Sequence, residues 1–158
     1  MIRPLLPADV ASARALFEGE CARHPYATRA VELIDAAATA GDDEGEYRVR
    51  VALQGDEVQG AVVYGLVAGA LGTGAIYGVA VAAGHRRRGV GRALIEGACD
   101  ALAGSGARVA IAELPDDAVL SDVHALLARS GFGEEARAPD LVRDGVAIVF
   151  RRRELARA

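Results

Sequence analysis

The sequence predicts an α/β fold in which a mixed sheet, antiparallel in its first half, carries helices on both faces. Three observations lead to this prediction. Apolar and polar residues alternate with a period of two in the first half, which is typical of half-buried strands. Apolar residues at helical spacing recur near both termini and in the middle of the chain. A basic loop containing two glycines joins an apolar, strand-like stretch to the central helix.

The N-terminal part of the chain predicts one short strand and two helices. Residues 2–5 form the predicted strand, and Pro7 suits the first turn of the helix that follows. A second helix is predicted over residues 28–39, and the composition of residues 41–45 is typical of a loop. The apolar faces of the two helices comprise Val10, Ala13, Leu16 and Phe17, and Val31, Leu33 and Ile34.

An antiparallel meander of three strands is predicted next. Apolar residues alternate with arginine over residues 47–51, which indicates a half-buried strand. Turn-forming residues at 54–56 and 69–74 separate two further strands, over residues 58–67 and 75–82. The meander therefore ends where the basic loop begins.

A strand–helix–strand unit is predicted around that loop. The helix has one apolar face and ends at the Gly-Ser-Gly of residues 104–106. The strand over residues 108–112 is reached by a crossover, so it should pair in parallel with the strand before the loop. The apolar face comprises Val90, Leu94, Ile95, Ala98 and Leu102.

The C-terminal part predicts a short helix and a closing hairpin. Ser121 or Asp122 can cap that helix, and Gly131 suits its left-handed exit. The hairpin is predicted over residues 133–141 and 146–152. We interpret Arg151, Arg152 and Arg153 as a solvated strand end.

Composition sets the class of protein. A chain of 158 residues suits one domain, residues 1–158, with a full core, and no apolar run is long enough to span a membrane. Cys21 and Cys99 suit neither a disulfide framework nor a metal site, and with no secretory signal they indicate a cytoplasmic protein with free thiols. The net charge of −4 weighs against a nucleic-acid partner.

Residues 86–92, Arg-Arg-Arg-Gly-Val-Gly-Arg, predict a site for a phosphate-bearing ligand. A helix N-terminus presents backbone N–H groups, glycine permits close approach, and guanidinium groups attract anions. A dinucleotide fingerprint would need a third glycine where Leu94 stands, and a P-loop would need a lysine that the chain lacks. A solvated basic turn remains an alternative, but it does not account for the paired glycines.

Two motifs resemble the GNAT superfamily of acyl-CoA-dependent N-acetyltransferases. Residues 86–91 resemble its Arg/Gln-x-x-Gly-x-Gly/Ala signature, and Val81 stands at the usual distance before Arg86. Residues 126–132, Leu-Leu-Ala-Arg-Ser-Gly-Phe, are similar to its Phe-Tyr-x-x-x-Gly-Phe segment, with Leu127 in place of the tyrosine. The order of predicted elements matches as well.

This resemblance implies a GNAT-like mixed, mostly antiparallel sheet whose central parallel strands splay apart. It also implies that acetyl-CoA binds without a metal. The pyrophosphate would lie on backbone N–H groups of the loop, and the pantetheine arm would pair with the preceding strand. The implied cofactor-binding residues are Val79, Ala80, Val81, Arg86, Arg87, Arg88, Gly89, Val90, Gly91 and Arg92.

The resemblance also assigns candidate catalytic groups. The N–H of Val79 or Ala80 would stabilise the oxyanion. No tyrosine stands at position 127, so His124 is the alternative acid, and the thiol, with a pKa near 8.5, also leaves with little help. Glu113 is the favoured base or amine anchor, because it stands at the end of the predicted strand after the central helix and strand ends line the ligand crevice in α/β sheets. Tyr77, the protic side chain of the strand before the loop, is another candidate, and deprotonation through ordered water is a further possibility.

The acceptor would be an amine, with a pocket built from the first two helices, the loops and the last strands. Residues implicated there are Glu18, Glu20, His24, Tyr26, Asp140 and the acidic loop at 42–44. The expected activity is N-acetyl transfer by direct attack of the amine in a ternary complex. A second version of this activity uses another acyl-CoA or an oxygen acceptor. Homodimers are frequent in the family. The alternative hypothesis is a catalytically silent acyl-CoA sensor.

Overall fold

A computed structural model describes residues 1–21, 24–40 and 45–156, with only the main chain described at Glu20 and Cys21. Within these ranges seven strands form one mixed sheet in the order β1-β2-β3-β4-β5-β7-β6. The strands are β1 (Ile2–Pro4), β2 (Arg48–Gln54), β3 (Glu57–Leu66), β4 (Thr73–Val81), β5 (Val109–Pro115), β6 (Gly133–Arg143) and β7 (Val146–Glu154). The helices are α1 (Val10–Cys21), α2 (Pro25–Ala40), α3 (Val90–Gly104) and α4 (Ser121–Arg129).

The helices cover both faces of the sheet, as the amphipathic patterns predict. On one face, α1 and α2 pack against β2 and β3 around Phe17, Leu33 and Ile34. On the other face, α3 and α4 pack against the central strands around Leu94 and Leu102. All strand pairs are antiparallel except β4 with β5, so the predicted parallel pair is confirmed.

A β-bulge in β4 sets the position of the site. Val63 pairs with Gly78 and Tyr64 pairs with Ile76, so Tyr77 is the extra residue on β4. Tyr77 and Gly78 consequently face the same side, towards α1 and α2. A bulge bends its strand and increases the local twist.

β4 and β5 separate just before the bulge. Their parallel register covers Thr73–Ala75 against Val109–Ile111 and goes no further. β5 continues to Pro115 because it stays paired with β7 on its other side. The second half of β4 therefore has an edge that faces a gap in the middle of the sheet.

The start of α4 differs from the prediction. Neither Ser121 nor Asp122 caps this helix, whose N-cap position is Leu120. Asp117 instead caps the short 3-10 turn that precedes α4, since its carboxylate accepts the Val119 N–H at 3.3 Å. The turn brings the chain into helical conformation before Ser121, so no side-chain cap is needed there.

The interpretation of the terminal arginines as a solvated strand end is wrong for Arg151 and Arg153. Alternation along β7 directs both side chains towards the face that carries α3 and α4. Arg151 donates to the Phe132 carbonyl at 3.0 Å and to His124 Nδ1 at 3.3 Å. Arg152, on the opposite face, pairs with the exposed Glu154.

Arg153 connects three elements. Its two terminal nitrogens donate to the two carboxylate oxygens of Glu96 on α3, at 2.9 and 2.8 Å. It also donates to the Ser130 carbonyl, at the end of α4, at 2.9 Å. The bidentate pair holds β7 to α3, and the bond to Ser130 holds β7 to the end of α4, so Arg153 stabilises one wall of the gap.

Glu96→Gln should lower the free energy of unfolding by about 1 kcal/mol at neutral pH. The Arg153 hydrogen bonds hold the pKa of the Glu96 carboxyl below its usual value. The stabilisation is therefore complete above about pH 5 and is lost as the pH falls through the lowered folded-state pKa. Urea unfolding at a series of pH values would measure it.

The matched control is Glu154→Gln, which removes an exposed pair and should change stability by less than about 0.5 kcal/mol. An equal effect of Glu96→Gln at pH 3 and pH 7 would show that the ion pair is not what holds α3 to β7.

Candidate active site

A pocket of about 540 Å³ opens where β4 leaves β5. Its described wall combines the free edge of β4, the start of α3, the face of α4 and the ends of α1 and α2. Its lining residues include Tyr26, Val79, Arg87, Gly89, Arg92 and Arg129. The pocket therefore joins the basic loop to the gap in the sheet.

The basic loop has a backbone suited to binding an anion. Arg87 and Gly89 both have positive φ, 59° and 82°, and the intervening bend leads directly into α3. The first helical hydrogen bond runs from the Ala93 N–H to the Gly89 carbonyl at 2.9 Å. The preceding N–H groups of the first turn, at residues 90–92, thus have no acceptor within the helix. Such a set of N–H groups attracts phosphate.

The two glycines of the loop have different roles in the structure. Gly89 has open space around its missing side chain, so its left-handed conformation is what favours glycine. A side chain at Gly91 would lie 2.7 Å from Leu126 and 3.4 Å from Val81. The sequence predicts that Gly91 gives phosphate access to the main chain. In the structure Gly91 also permits α3 to pack closely against α4 and β4.

Four arginines surround the mouth of the pocket. Arg86, Arg87 and Arg92 come from the predicted loop, and Arg86 Nε donates to the Val81 carbonyl at 3.0 Å. Arg129 comes from the end of α4 and was missed by the sequence analysis, because no motif links this position to the loop. Arg88 and Val90, which the resemblance includes, do not line the pocket.

The free edge of β4 presents the amide of Val79. Its N–H donates to the Tyr26 hydroxyl oxygen at 3.0 Å, and the Val81 carbonyl faces the same gap. Ala80 lies between them and pairs with Ala61 of β3. Because backbone groups alternate along a strand, the Ala80 N–H points into the sheet. Of the two amides predicted as candidates, the structure directs that of Val79 into the pocket.

Tyr77 and Glu113 lie on the face that carries α1 and α2. Tyr77 packs edge-on against Tyr47, with ring centroids 5.4 Å apart. Burial, followed by the nearby Tyr47 and Glu46, raises the pKa of the Tyr77 phenol, so it is neutral at physiological pH. Glu113 is exposed, opposite Phe150, and β5 continues two residues past it instead of ending there.

His124 and Leu127 do not bring a proton donor into the pocket. His124 Nε2 lies 2.8 Å from the Pro115 carbonyl, and its Nδ1 accepts from Arg151. Both ring nitrogens are thus engaged in contacts that hold α4 to the sheet. Leu127 is 2% exposed and belongs to the core beneath α3.

The predicted acceptor residues are only partly brought together. His24 and Tyr26 lie at the start of α2, whereas Asp140 shapes the β6–β7 hairpin by accepting the Gly145 N–H. Glu18 lies 3.5 Å from Arg14 on the same helix. The side chain of Glu20 and the loop at 42–44 lie outside the described residues.

The described parts of the chain contain neither a metal-binding cluster nor a membrane-spanning helix. Over residues 1–21, 24–40 and 45–156, no cluster of three or more histidine, cysteine or carboxylate side chains is placed to hold a metal ion. Within the same residues, no helix has the length and apolar character needed to cross a bilayer.

The model of the acetyltransferase (GNAT) family matches residues 13–132. The chain belongs to the GNAT acetyltransferase family. Membership indicates an acyltransferase, and it agrees with the placement of the loop and the splayed strands in this GNAT chain. Among curated proteins, none matches the sequence.

Solved structures of the family superpose over nearly the whole GNAT chain. A protein from Desulfovibrio desulfuricans, described as a GNAT acetyltransferase, shares 28% identity with a TM-score of 0.88 over 99% of both chains. The yncA acetyltransferase of Salmonella typhimurium, with its cofactor acetyl-CoA, shares 19% identity, with a TM-score of 0.76 over 100% of this chain and 95% of its own. An aminoglycoside 6'-N-acetyltransferase from Enterococcus faecium shares 11%, with a TM-score of 0.79 over 100% and 98%. The last two show the fold alone.

Gly89→Ala should destabilise this GNAT protein by about 1–2 kcal/mol, because alanine disfavours the left-handed conformation at that position. Gly84→Ala is the matched control, since Gly84 lies five residues earlier, with equally open surroundings and without a positive φ. Thermal unfolding of both variants would measure the difference. Equal stability of the two variants would contradict the loop conformation described above.

Proposed function

We propose that the protein transfers the acetyl group of acetyl-CoA to a primary amine, by direct attack in a ternary complex. One observation carries the proposal: Gly91 and Arg92 in the first turn of α3 and Val79 on the free edge of β4, whose amide leaves the sheet, line the same pocket. The amides of the first turn suit a pyrophosphate, and the Val79 amide suits a carbonyl oxygen. The spacing between them is set by the end of β4 and the loop.

The residues present fit acetyl-CoA at both ends of the pocket. The amides at residues 90–92 with Arg87 and Arg92 would hold the phosphates, and Arg129 adds a further cation at the mouth. The edge of β4 from Val79 to Val81 would pair with the amides of the pantetheine arm, as an added strand does. When bound, acetyl-CoA supplies an acyl group on a thiol that leaves readily, with a pKa near 8.5.

The acceptor is proposed to approach from the face that carries α1 and α2. The bulge places Tyr77 on that face, and alternation along β5 places Glu113 there too, since Ala112 and Leu114 lie in the opposite core. A carboxylate on the same face as the Tyr47–Tyr77 pair suits a cationic amine. Glu113 is proposed as the amine anchor or the base. The protein is proposed to act in the cytoplasm as a single domain, either alone or as a homodimer.

Binding of acetyl-CoA is the direct test. Isothermal titration calorimetry should give a dissociation constant in the micromolar range, which corresponds to a binding free energy of about −8 kcal/mol. Arg87→Ala combined with Arg92→Ala should weaken binding by about tenfold to a hundredfold or more, because charge-assisted hydrogen bonds to phosphate are removed. Arg108→Ala is the matched control and should change nothing, because this exposed arginine lies just before β5, at the end where β4 and β5 are paired and away from the pocket. No measurable heat with the wild-type protein would overturn the proposal.

A sensor that binds acetyl-CoA without turnover is the second candidate, favoured by the burial of Leu127 where the family segment has a tyrosine. Release of free thiol with a panel of amines separates the two. Burial raises the pKa of the Cys99 thiol to about 11, so this residue should stay silent in a thiol assay of the folded protein. Binding without thiol release for any amine would favour the sensor.

Glu113→Gln should raise KM for a cationic acceptor by about tenfold or more, because the carboxylate that attracts the amine is lost. Removing a base should also abolish the acidic limb of the pH profile of kcat/KM. Glu135→Gln, an exposed carboxylate on the edge strand β6, is the matched control. Unchanged kinetics in Glu113→Gln would show that the amine is held elsewhere.

A further inference from the structure

We propose that the hydroxyl of Tyr26 is a second donor to the carbonyl oxygen of the bound thioester, which makes Tyr26 a catalytic residue. The inference rests on the proposed function, since it needs acetyl-CoA in the pocket. The sequence predicts Tyr26 as part of the acceptor pocket. Here this residue, at the start of α2, instead has a role in stabilising charge on the carbonyl oxygen.

The position of Tyr26 carries the argument. Its hydroxyl oxygen lies 3.0 Å from the Val79 nitrogen, on the side of β4 that faces the gap. Its ring packs against both hydrophobic cores, the one beneath α3 and the one beneath α1 and α2. Tyr26 therefore lies in the opening between β4 and β5, where the two faces of the sheet meet.

The hydroxyl takes the place that a strand would otherwise fill. β4 loses its partner beyond Ala75, and an amide left without an acceptor in a buried site such as Val79 is costly. Tyr26 supplies the acceptor that β5 no longer provides. The Val79 amide is thereby kept in an extended edge position, ready to bind another oxygen.

A thioester carbonyl that accepts the Val79 N–H would take the place of the phenolic oxygen. A shift of about 3 Å, one hydrogen-bond length, moves the hydroxyl beside the incoming oxygen. A phenol both accepts and donates, so after this shift its O–H can point at the same carbonyl oxygen as the Val79 N–H. The Val79 N–H and the Tyr26 O–H would then donate to the same oxygen, and such a pair of donors stabilises the negative charge that develops there.

The backbone of Tyr26 is held by His24, which also lies near the loop before α4. Its N–H donates to His24 Nδ1 at 3.2 Å, and His24 Nε2 lies 3.6 Å from Asp117 Oδ2. Asp117 also accepts from Arg143 of the β6–β7 hairpin at 3.0 Å. These contacts connect the start of α2 to the loop before α4, on the opposite side of the pocket, and so position the phenol over the gap.

The step balances without a proton from Tyr26. The amine nitrogen bonds to the carbonyl carbon, and the electron pair that moves to oxygen is stabilised by Val79 and Tyr26. The pair then returns, the C–S bond breaks, and the thiolate leaves and takes a proton from solvent. The proton of the amine passes to Glu113 or to water. Stronger stabilisation of the oxygen offsets the missing acid at Leu127.

The test compares the carbonyl of bound acetyl-CoA in three proteins. Infrared difference spectra with a 13C-labelled acetyl carbonyl report the strength of hydrogen bonding to that oxygen. The carbonyl frequency should be higher in Tyr26→Phe than in the wild-type protein, and unchanged in Tyr64→Phe. Tyr64 is the matched control, a buried tyrosine on β3 whose hydroxyl contacts Arg50.

Kinetics and binding provide two further readouts. With a competent amine, Tyr26→Phe should lower kcat by about a hundredfold, the usual effect of removing one oxyanion donor. The dissociation constant for acetyl-CoA should change by no more than about tenfold, the equivalent of one neutral hydrogen bond. A structural role alone would alter stability and binding but leave the carbonyl frequency of the bound fraction unchanged.

A second variant covers the case in which Tyr26→Phe fails to fold. 3-Fluorotyrosine at position 26 keeps the hydroxyl and makes it a stronger donor, so the carbonyl frequency should fall below the wild-type value. Acetyl-CoA binding with the same frequency in all proteins would overturn the role of Tyr26 and leave the proposed function intact. No binding to the wild-type protein would overturn both.

Discussion

The separation of β4 from β5 is the constraint on which the rest of this structure depends. Tyr77 is an extra residue in β4, and beyond it the strand has a neighbour on one side only. Unpaired backbone groups in a protein interior must find other partners. Here the Val79 N–H binds the Tyr26 hydroxyl, and the Val81 carbonyl binds Arg86. The side chains that satisfy this edge are the ones that line the pocket.

The walls of the pocket are held by polar contacts between elements that are distant in sequence. Arg153 joins α3 to the end of α4, and Arg151 joins the strand β7 to His124 on α4. α4 is short, with nine residues, and such a helix depends on tertiary contacts for its stability. The arginines of β7 therefore position the wall that faces the basic loop, although none of them lines the pocket.

The chemistry of the site follows from what the elements leave exposed. The first turn of α3 presents amides beside several arginines, which suits the phosphates of a coenzyme. The free edge of β4 presents the Val79 amide, which binds the Tyr26 hydroxyl in this structure and is proposed to bind the carbonyl oxygen of the thioester. With Leu127 in the core and His124 bound to the sheet, charge stabilisation at that oxygen is the means of catalysis that the described residues support best.

The sequence alone determined the order of the elements and the parallel central pair, and it predicted phosphate binding at residues 86–92, because these depend on local periodicity and on residues adjacent in the chain. It did not reveal the Val79–Tyr26 bond, the place of Arg129 at the pocket or the buried contacts of Arg151 and Arg153. Each of these joins residues far apart in sequence, and no local pattern encodes such a distance. Only the tertiary structure decided them, since packing of the helices on a bent strand brings these groups together.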